Sequence, residues 1–517
     1  MTPLDALALG LNVNVEALSP ATAEALLDAL DRITNEGADP NDTVLANPAV
    51  TLALINEGAV IGVVPFDENG NRKPLGSSSD FDAGDGLDIA GGDKVGVTCA
   101  LCHARTDDSI VPAGFAGPGS VGVEVDGVVA EGLDVGAIFA AANNPLAYLP
   151  LLQLQFDTLE GATIGNGDFA GISSSDSIAD ATAAARTYLT GTDGVSGERY
   201  YSLTSFDATP DGIGNATYVP PFFRTDLAAP WGHSGAFENL DDFNNLVYTV
   251  ALDPTSLLTD EGRAFLNVLA GPVGDEIADD YQQVLEDTGV IDSGMAISDQ
   301  LPLVNAAGDD LAPGSPAGPV GRRVTQGKLT ALNAYTDQLA APPAPDGLEE
   351  DRVARGEDLF TSPRSEGGAG CAGCHTADPN QAVENRVIAI DTLYPAYNDN
   401  LAVLLDRSMA GLSPLQDAQG GPAPDYDNSL IVLDASVRGL ERGFTKPLLL
   451  ALDSKDEFLH DGSVVGADAV DGLEQLLNPA RGEDSPHPFY YPQNTMVAAD
   501  DEGRRDLVEY LRSRTTD

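Results

Sequence analysis

Two pentapeptides, Cys99-Ala100-Leu101-Cys102-His103 and Cys371-Ala372-Gly373-Cys374-His375, hold all four cysteines and two of the five histidines of this 517-residue chain. Two thiols at this spacing can reach the two vinyl groups on one porphyrin edge, and a histidine directly after the second thiol can swing beneath the ring to ligate iron. The C-x-x-C-H pattern therefore points to covalent attachment of two c-type haems, with His103 and His375 as proximal iron ligands. Two rival chemistries use the same thiols. A four-thiolate zinc site would join pairs 269 residues apart (371 − 102) and gives no reason for a histidine after each pair. A redox dithiol would want its motif once, at a helix start after a strand.

His233, His460 and His487 remain, with Met295, Met409 and Met496, as side chains able to meet an iron from its other face. His233 and His460 each lie in a His-x-Gly turn, one in Trp231-Gly232-His233-Ser234-Gly235 and one in Leu459-His460-Asp461-Gly462. In such a turn an imidazole can bond a propionate or a backbone carbonyl and hold the loop without touching iron; ligation is the alternative. No residue clearly claims the distal face of the first haem, and an open position there is what peroxide or dioxygen chemistry needs. An acid/base to move a proton between peroxide oxygens is also required. Glu124, Glu131 and Glu160 are among the first-half acids, and the sequence does not choose between them. Trp231, the only tryptophan, adjoins the first turn as a core residue or as an aromatic between haems.

The elements that must carry these residues follow from periodicity. Residues 1–60 read as a helical extension, with Ser19 capping a helix that has Pro20 at its first position and Leu26, Leu27, Leu30 and Ile33 on one face. Further helices are expected over 135–156, 178–189 and 322–339. Gly/Pro-rich stretches at 306–321 and 341–347 bracket the last of these, which places a first haem domain over 61–320, a connecting helix and linker over 321–347, and a second haem domain over 348–517. In that second domain, a helix over 348–360 and one over 502–513 surround the second motif. Gly356 would let the two cross closely, and Phe360 would pack on Tyr510.

The hydrophobic share of 43% supplies ample core. With 26 Lys plus Arg against 81 Asp plus Glu, the formal charge is −55 and the pI about 4.1. Nucleic-acid binding loses its electrostatic drive at such a balance. Acids scattered in pairs, with lysine scarce, fit solubility in high salt first and a docking face for a basic partner second. No stretch is long and apolar enough to span a bilayer. Haem attachment is completed outside the cytoplasm, so a periplasmic or extracellular protein is expected. Met1-Thr2-Pro3-Leu4-Asp5 shows no basic leader, and a mature sequence is the corresponding expectation.

The paired motifs, each followed by a His-x-Gly turn and a Leu-rich helix start, resemble the bacterial di-haem cytochrome c peroxidase superfamily, which includes methylamine-utilisation di-haem enzymes. The long first half is similar to its rubber-oxygenase-like di-haem oxidoreductase branch. Gly62-Val63-Val64-Pro65, Val97-Thr98 and Pro220-Pro221-Phe222-Phe223 carry that similarity, which covers roughly residues 45–517. The resemblance implies a mainly α fold, with two cytochrome c-like haem domains, long loops and few short strands. It also implies that His487, in Ser485-Pro486-His487-Pro488-Phe489, is the distal ligand of the second iron; Met496, Met409 and His460 are the runners-up, and a surface-loop histidine is the plain alternative. A six-coordinate second haem would accept single electrons from a small cytochrome or copper protein, and the first haem would reduce hydrogen peroxide. An oxygenase acting on an organic substrate with O2 and a pure electron carrier are the other expectations. Calcium lies between the haem domains of similar peroxidases, although no spaced Asp/Asn loop singles out a site here. The similar proteins often carry Trp after the first-half turn histidine, where this chain has Ser234.

Overall fold

The computed structural model describes residues 1–76, 87–148, 177–192, 199, 201, 203–206, 217–270, 274–300, 324–384, 386–389, 435–440, 443–459, 462, 464–478 and 501–516. By its own contacts the chain divides into two units, one of Met1–Ile138 with Val219–Phe222, the other of Phe139–Tyr218 with Phe223–Asp517.

In the first unit, short helices start where a polar side chain can take an orphan N–H. Ser19 accepts from Thr22 N and opens Pro20–Thr34, and Asn47 accepts from Ala49 N and opens Pro48–Glu57. Glu57, buried at the end of the latter helix, accepts from Ser19 N (3.1 Å) and Thr22 Oγ1 (2.7 Å), which ties the two helices together. Strand Val63–Phe66 pairs antiparallel with Lys94–Val97 in the register Val63↔Val97, and Ala104–Thr106 pairs with Glu124–Asp126. These two ladders flank the short helix Ala100–His103 that holds most of the first motif.

The second unit has two apolar centres. Helices Ile178–Thr190, Asp260–Ala270 and Gly274–Asp287 bury Ala185, Leu266, Tyr281 and Leu285 together, and the Tyr281 hydroxyl donates to the Ala147 carbonyl at 2.6 Å. Around the second motif, helices Glu350–Thr361 and Asp501–Ser513 cross so closely that a Cβ on Gly356 would stand 2.0 Å from the Asp506 carbonyl oxygen. Phe360 packs on Tyr510 with ring centroids 5.2 Å apart. Leu473, Leu507 and Leu511 complete this core, and Cys371 and Ala372 lie against it.

The expectation of a mainly α chain is corrected. Among the described residues 46% are helical and 11% are in strands, the latter as six two-stranded ladders, so the architecture is mixed. Most of these strands are only two or three residues long, too short to leave a periodic signal. The helix expected over 135–156 stops at Ala140, and a single tight turn follows at Pro145–Tyr148; Pro145 lacks the N–H that a continuing helix would use. Of the Gly/Pro-rich stretches, 306–321 lies outside the described residues, and Ala341–Gly347 lies within the second unit.

Candidate haem centres

The first motif is held from below by glycine. Gly62 takes φ +74, and a Cβ there would stand 2.1 Å from Leu101 N. Its carbonyl accepts from Thr98 N at 2.9 Å. The segments Gly62-Val63-Val64-Pro65 and Val97-Thr98 are thus partners in one ladder that delivers Cys99 to the helix. From the other side, Gly127 N donates to the His103 carbonyl (2.7 Å) and Ala130 N to that of Cys102 (3.0 Å).

His103 Nδ1 donates to the Pro220 carbonyl at 3.0 Å, and its ring lies 5.1 Å from that of Phe222. Phe222 N in turn donates to the Gly127 carbonyl at 2.7 Å. Burial pushes the His103 imidazole down to about 4, against the opposing effect of its bond to Pro220, so the ring is neutral at ordinary pH. A neutral imidazole that spends its proton on a carbonyl presents the lone pair of Nε2, as iron ligation requires. In the second unit, His375 Nδ1 donates to the Pro447 carbonyl at 3.2 Å.

None of the four cysteines is in a disulfide. Burial pushes the Cys102 and Cys371 thiols up to about 12 and raises that of Cys99. A redox dithiol works through a lowered thiol pKa, so these apolar surroundings suit attachment points better than reactive thiolates.

The two proline carbonyls open a longer internal repeat. Pro447 follows Pro220 by 227 residues (447 − 220), and His460 follows His233 by the same 227 (460 − 233). At this offset several described backbone positions agree. Arg224 and Ala451 take φ +46 and +51, Gly232 and Leu459 take +84 and +77, and Gly235 and Gly462 both take +68. Tight 3-10 turns occupy Thr225–Leu227 and Leu452–Ser454. The bridge Trp231↔Phe237 corresponds to Phe458↔Val464. A left-handed conformation is costly for a branched side chain, so its retention at Leu459, where the first copy has glycine, shows that the turn geometry is imposed by the surroundings. In both copies the turn histidine stands 13 positions after the proline (233 − 220 and 460 − 447), a spacing legible in the sequence.

His233 Nε2 bonds the Tyr218 carbonyl at 3.0 Å, so in this structure the imidazole holds the turn to a strand. Tyr218 stands two residues before Pro220 in the sequence. The same turn is clasped by second-half residues. Thr445 N donates to the His233 carbonyl (2.6 Å), Arg386 Nη1 to that of Pro230 (2.7 Å) and Arg438 Nη2 to that of Gly235 (2.7 Å). Arg386 Nε also reaches the Lys446 carbonyl at 3.0 Å, beside Pro447. Burial lowers the Arg386 guanidinium to about 10, which leaves it charged. Trp231 is half-buried and donates through Nε1 to the Thr225 carbonyl at 3.2 Å.

Of the first-half acids, Glu124 accepts from Asn14 Nδ2 at 2.8 Å, and burial, reinforced by Asp126, raises its pKa. Glu131 is half-buried, and Glu160 lies outside the described residues. His460, His487, Met409 and Met496 also lie outside them, while Met295 is exposed. No family model, curated protein or solved structure matches this chain.

Proposed function

We propose that this chain is a di-haem c-type cytochrome that reduces hydrogen peroxide at its first haem with electrons relayed through its second. The observation that carries this reading is the pair of C-x-x-C-H histidines whose Nδ1 atoms each bond a proline carbonyl, Pro220 and Pro447. That bond fixes the tautomer and the ring orientation of each histidine, which would suit it to ligate an iron, and it recurs in both halves. The residues present fit the group: two thiols and a histidine on one short turn, packed on apolar side chains. When bound, haem supplies one-electron chemistry and, where an axial position is open, peroxide activation.

The chain's own part is positioning. Cys99 and Cys102, or Cys371 and Cys374, would hold the haem through thioether bonds, and His103 and His375 would supply the imidazoles that ligate its iron. His487 is proposed as the distal ligand of the second iron. Reduction of one peroxide to two waters consumes two electrons and two protons, and a half-buried carboxylic acid with a raised pKa is suited to proton delivery. The electrons are proposed to come from a small reduced cytochrome or copper protein. No described helix is long and apolar enough to cross a membrane, and an exported protein is proposed from the attachment chemistry.

The test runs in two stages. A pyridine haemochrome spectrum should give two haems per chain, and fewer would remove the proposal. Steady-state peroxide reduction with a reduced cytochrome donor, together with a high-spin ferric band, is the expected result for the peroxidase. A high-spin band without peroxide turnover but with oxygen uptake on an organic substrate would make it an oxygenase, and two low-spin haems without turnover an electron carrier.

A further inference from the structure

Arg514, just beyond helix Asp501–Ser513, is only 3% exposed. Its guanidinium makes four hydrogen bonds. Nε donates to the Leu449 carbonyl (3.2 Å), Nη2 to that of Thr376 (2.9 Å), and Nη1 to that of Ala377 (3.1 Å) and to the Tyr510 hydroxyl (2.8 Å). It also lies over the Phe360 and Tyr510 rings, 5.0 and 5.5 Å from their centroids. Among the described residues no carboxylate pairs with it, whereas its neighbour Arg512 reaches both Asp453 and Glu509. Among the described residues this buried cation is held by neutral dipoles and ring faces, and burial keeps its field from being screened by bulk water.

The groups that it holds flank the second motif. Thr376 and Ala377 follow His375 directly, and Leu449 lies two residues after Pro447, whose carbonyl takes the His375 proton. Leu449 and Ala451 both adopt left-handed backbone, φ +57 and +51, which persists only where neighbours over-determine it. Arg514 supplies those neighbours: its side chain bonds the Leu449 carbonyl, and its own carbonyl accepts from Ala451 N at 3.2 Å. Its charge is also felt at the Cys371 thiol.

We propose that Arg514 is the positioning residue that sets the reduction potential of the group attached at Cys371, Cys374 and His375, holding both segments around His375 and favouring the reduced iron with its buried positive charge. Reduction removes one positive charge from the iron, so a nearby fixed cation stabilises the ferrous state relative to the ferric. A raised potential makes this haem the natural entry point for single electrons. This inference rests on the di-haem reading.

The experiment uses the full-length holoprotein, with haem content counted before any potential is measured. Fewer than two haems in the parent protein would overturn the underlying reading rather than this one. With two haems present, potentiometric titration of Arg514→Gln should lower the midpoint of one haem by at least a tenfold change in its ferrous/ferric ratio, which is 59 mV for one electron, and leave the other haem unchanged. Arg514→Lys keeps the charge and should hold the midpoint within about threefold of the parent ratio. An unshifted midpoint in Arg514→Gln, or an equal fall in both variants, would overturn the proposal. Should Arg514→Gln not assemble, Arg514→Lys decides: a retained midpoint supports the role of the charge, and a tenfold fall refutes it.

Discussion

Replacing Gly62 by alanine tests the link between a single backbone position and the proposed attachment of one haem. The residue takes φ +74, which costs an L-amino acid about 1–2 kcal/mol. The new Cβ would stand 2.1 Å from Leu101 N and 2.3 Å from Leu101 Cα, against an ordinary contact of at least 3.4 Å. The motif helix would have to retreat by more than an ångström, and overpacking of that kind adds about 1–3 kcal/mol. A total of about 2–5 kcal/mol falls on the one turn that carries Cys99, Cys102 and His103. Gly62→Ala should therefore lose or weaken attachment at the first motif and keep the second, so that pyridine haemochrome falls from two haems per chain toward one. Mass spectrometry of the peptides should find the remaining haem on Cys371 and Cys374. Two haems per chain with an unchanged melting curve would refute the argument that Gly62 is required for close approach.

His233→Ala should leave the iron coordination spectra unchanged and cost about 1 kcal/mol of stability, since it removes one hydrogen bond to the Tyr218 carbonyl; loss of a low-spin signal would make His233 a ligand instead. Asp506, with 5% side-chain exposure, accepts from Arg352 and Arg355 at 2.7–2.9 Å, and Asp506→Asn should destabilise the second unit by about 2–3 kcal/mol in denaturant unfolding, a figure reduced because Arg355 is half-exposed. Burial, with Asp456 beside it, raises Glu457 from 4.5 to about 7. The folded chain then holds this proton more tightly than the unfolded chain, so the corresponding stability is complete below about pH 4.5, declines as the pH rises to about 7 and is flat beyond. Glu457→Gln should flatten that decline, and equal slopes in parent and variant denaturation midpoints would contradict the raised value.

What the sequence made legible were the features with a fixed local grammar. The two C-x-x-C-H motifs and the Ser19 cap can be read locally, and the Gly356 crossing and the Phe360–Tyr510 contact, though 150 residues apart in the chain, can be read because each of the two helices carries its own periodic apolar face. The antiparallel ladders could not be read in this way. Val63–Phe66 meets Lys94–Val97 across a long Gly/Ser-rich connection, and a four-residue strand carries too few alternations to announce itself. The apolar run after Val135 looked helical throughout, yet Asn143, Asn144 and Pro145 cut it short. Pro220 and Pro447 were hidden for another reason: a backbone carbonyl has no side-chain signature, and only the repeated spacing to His233 and His460 betrays it. The helices Asp260–Ala270 and Gly274–Asp287 share one apolar core, yet neither holds a residue whose type points to chemistry.

The four residues Val219–Phe222 belong with the first unit, although the chain on both sides of them belongs to the second. This excursion has a consequence for biogenesis. In a chain made from its N-terminus, Cys99, Cys102 and His103 emerge 117 residues before the carbonyl that orients the histidine, against 72 residues for His375 and Pro447. The longer loop costs only about 0.4 kcal/mol more to close. The greater effect is on timing: at about 5–20 residues per second, the first histidine waits about 6–23 seconds for its carbonyl. Over that interval the Pro220 carbonyl is not yet there to fix the ring of His103, so the first histidine of a nascent chain waits longer for its partner than His375 does.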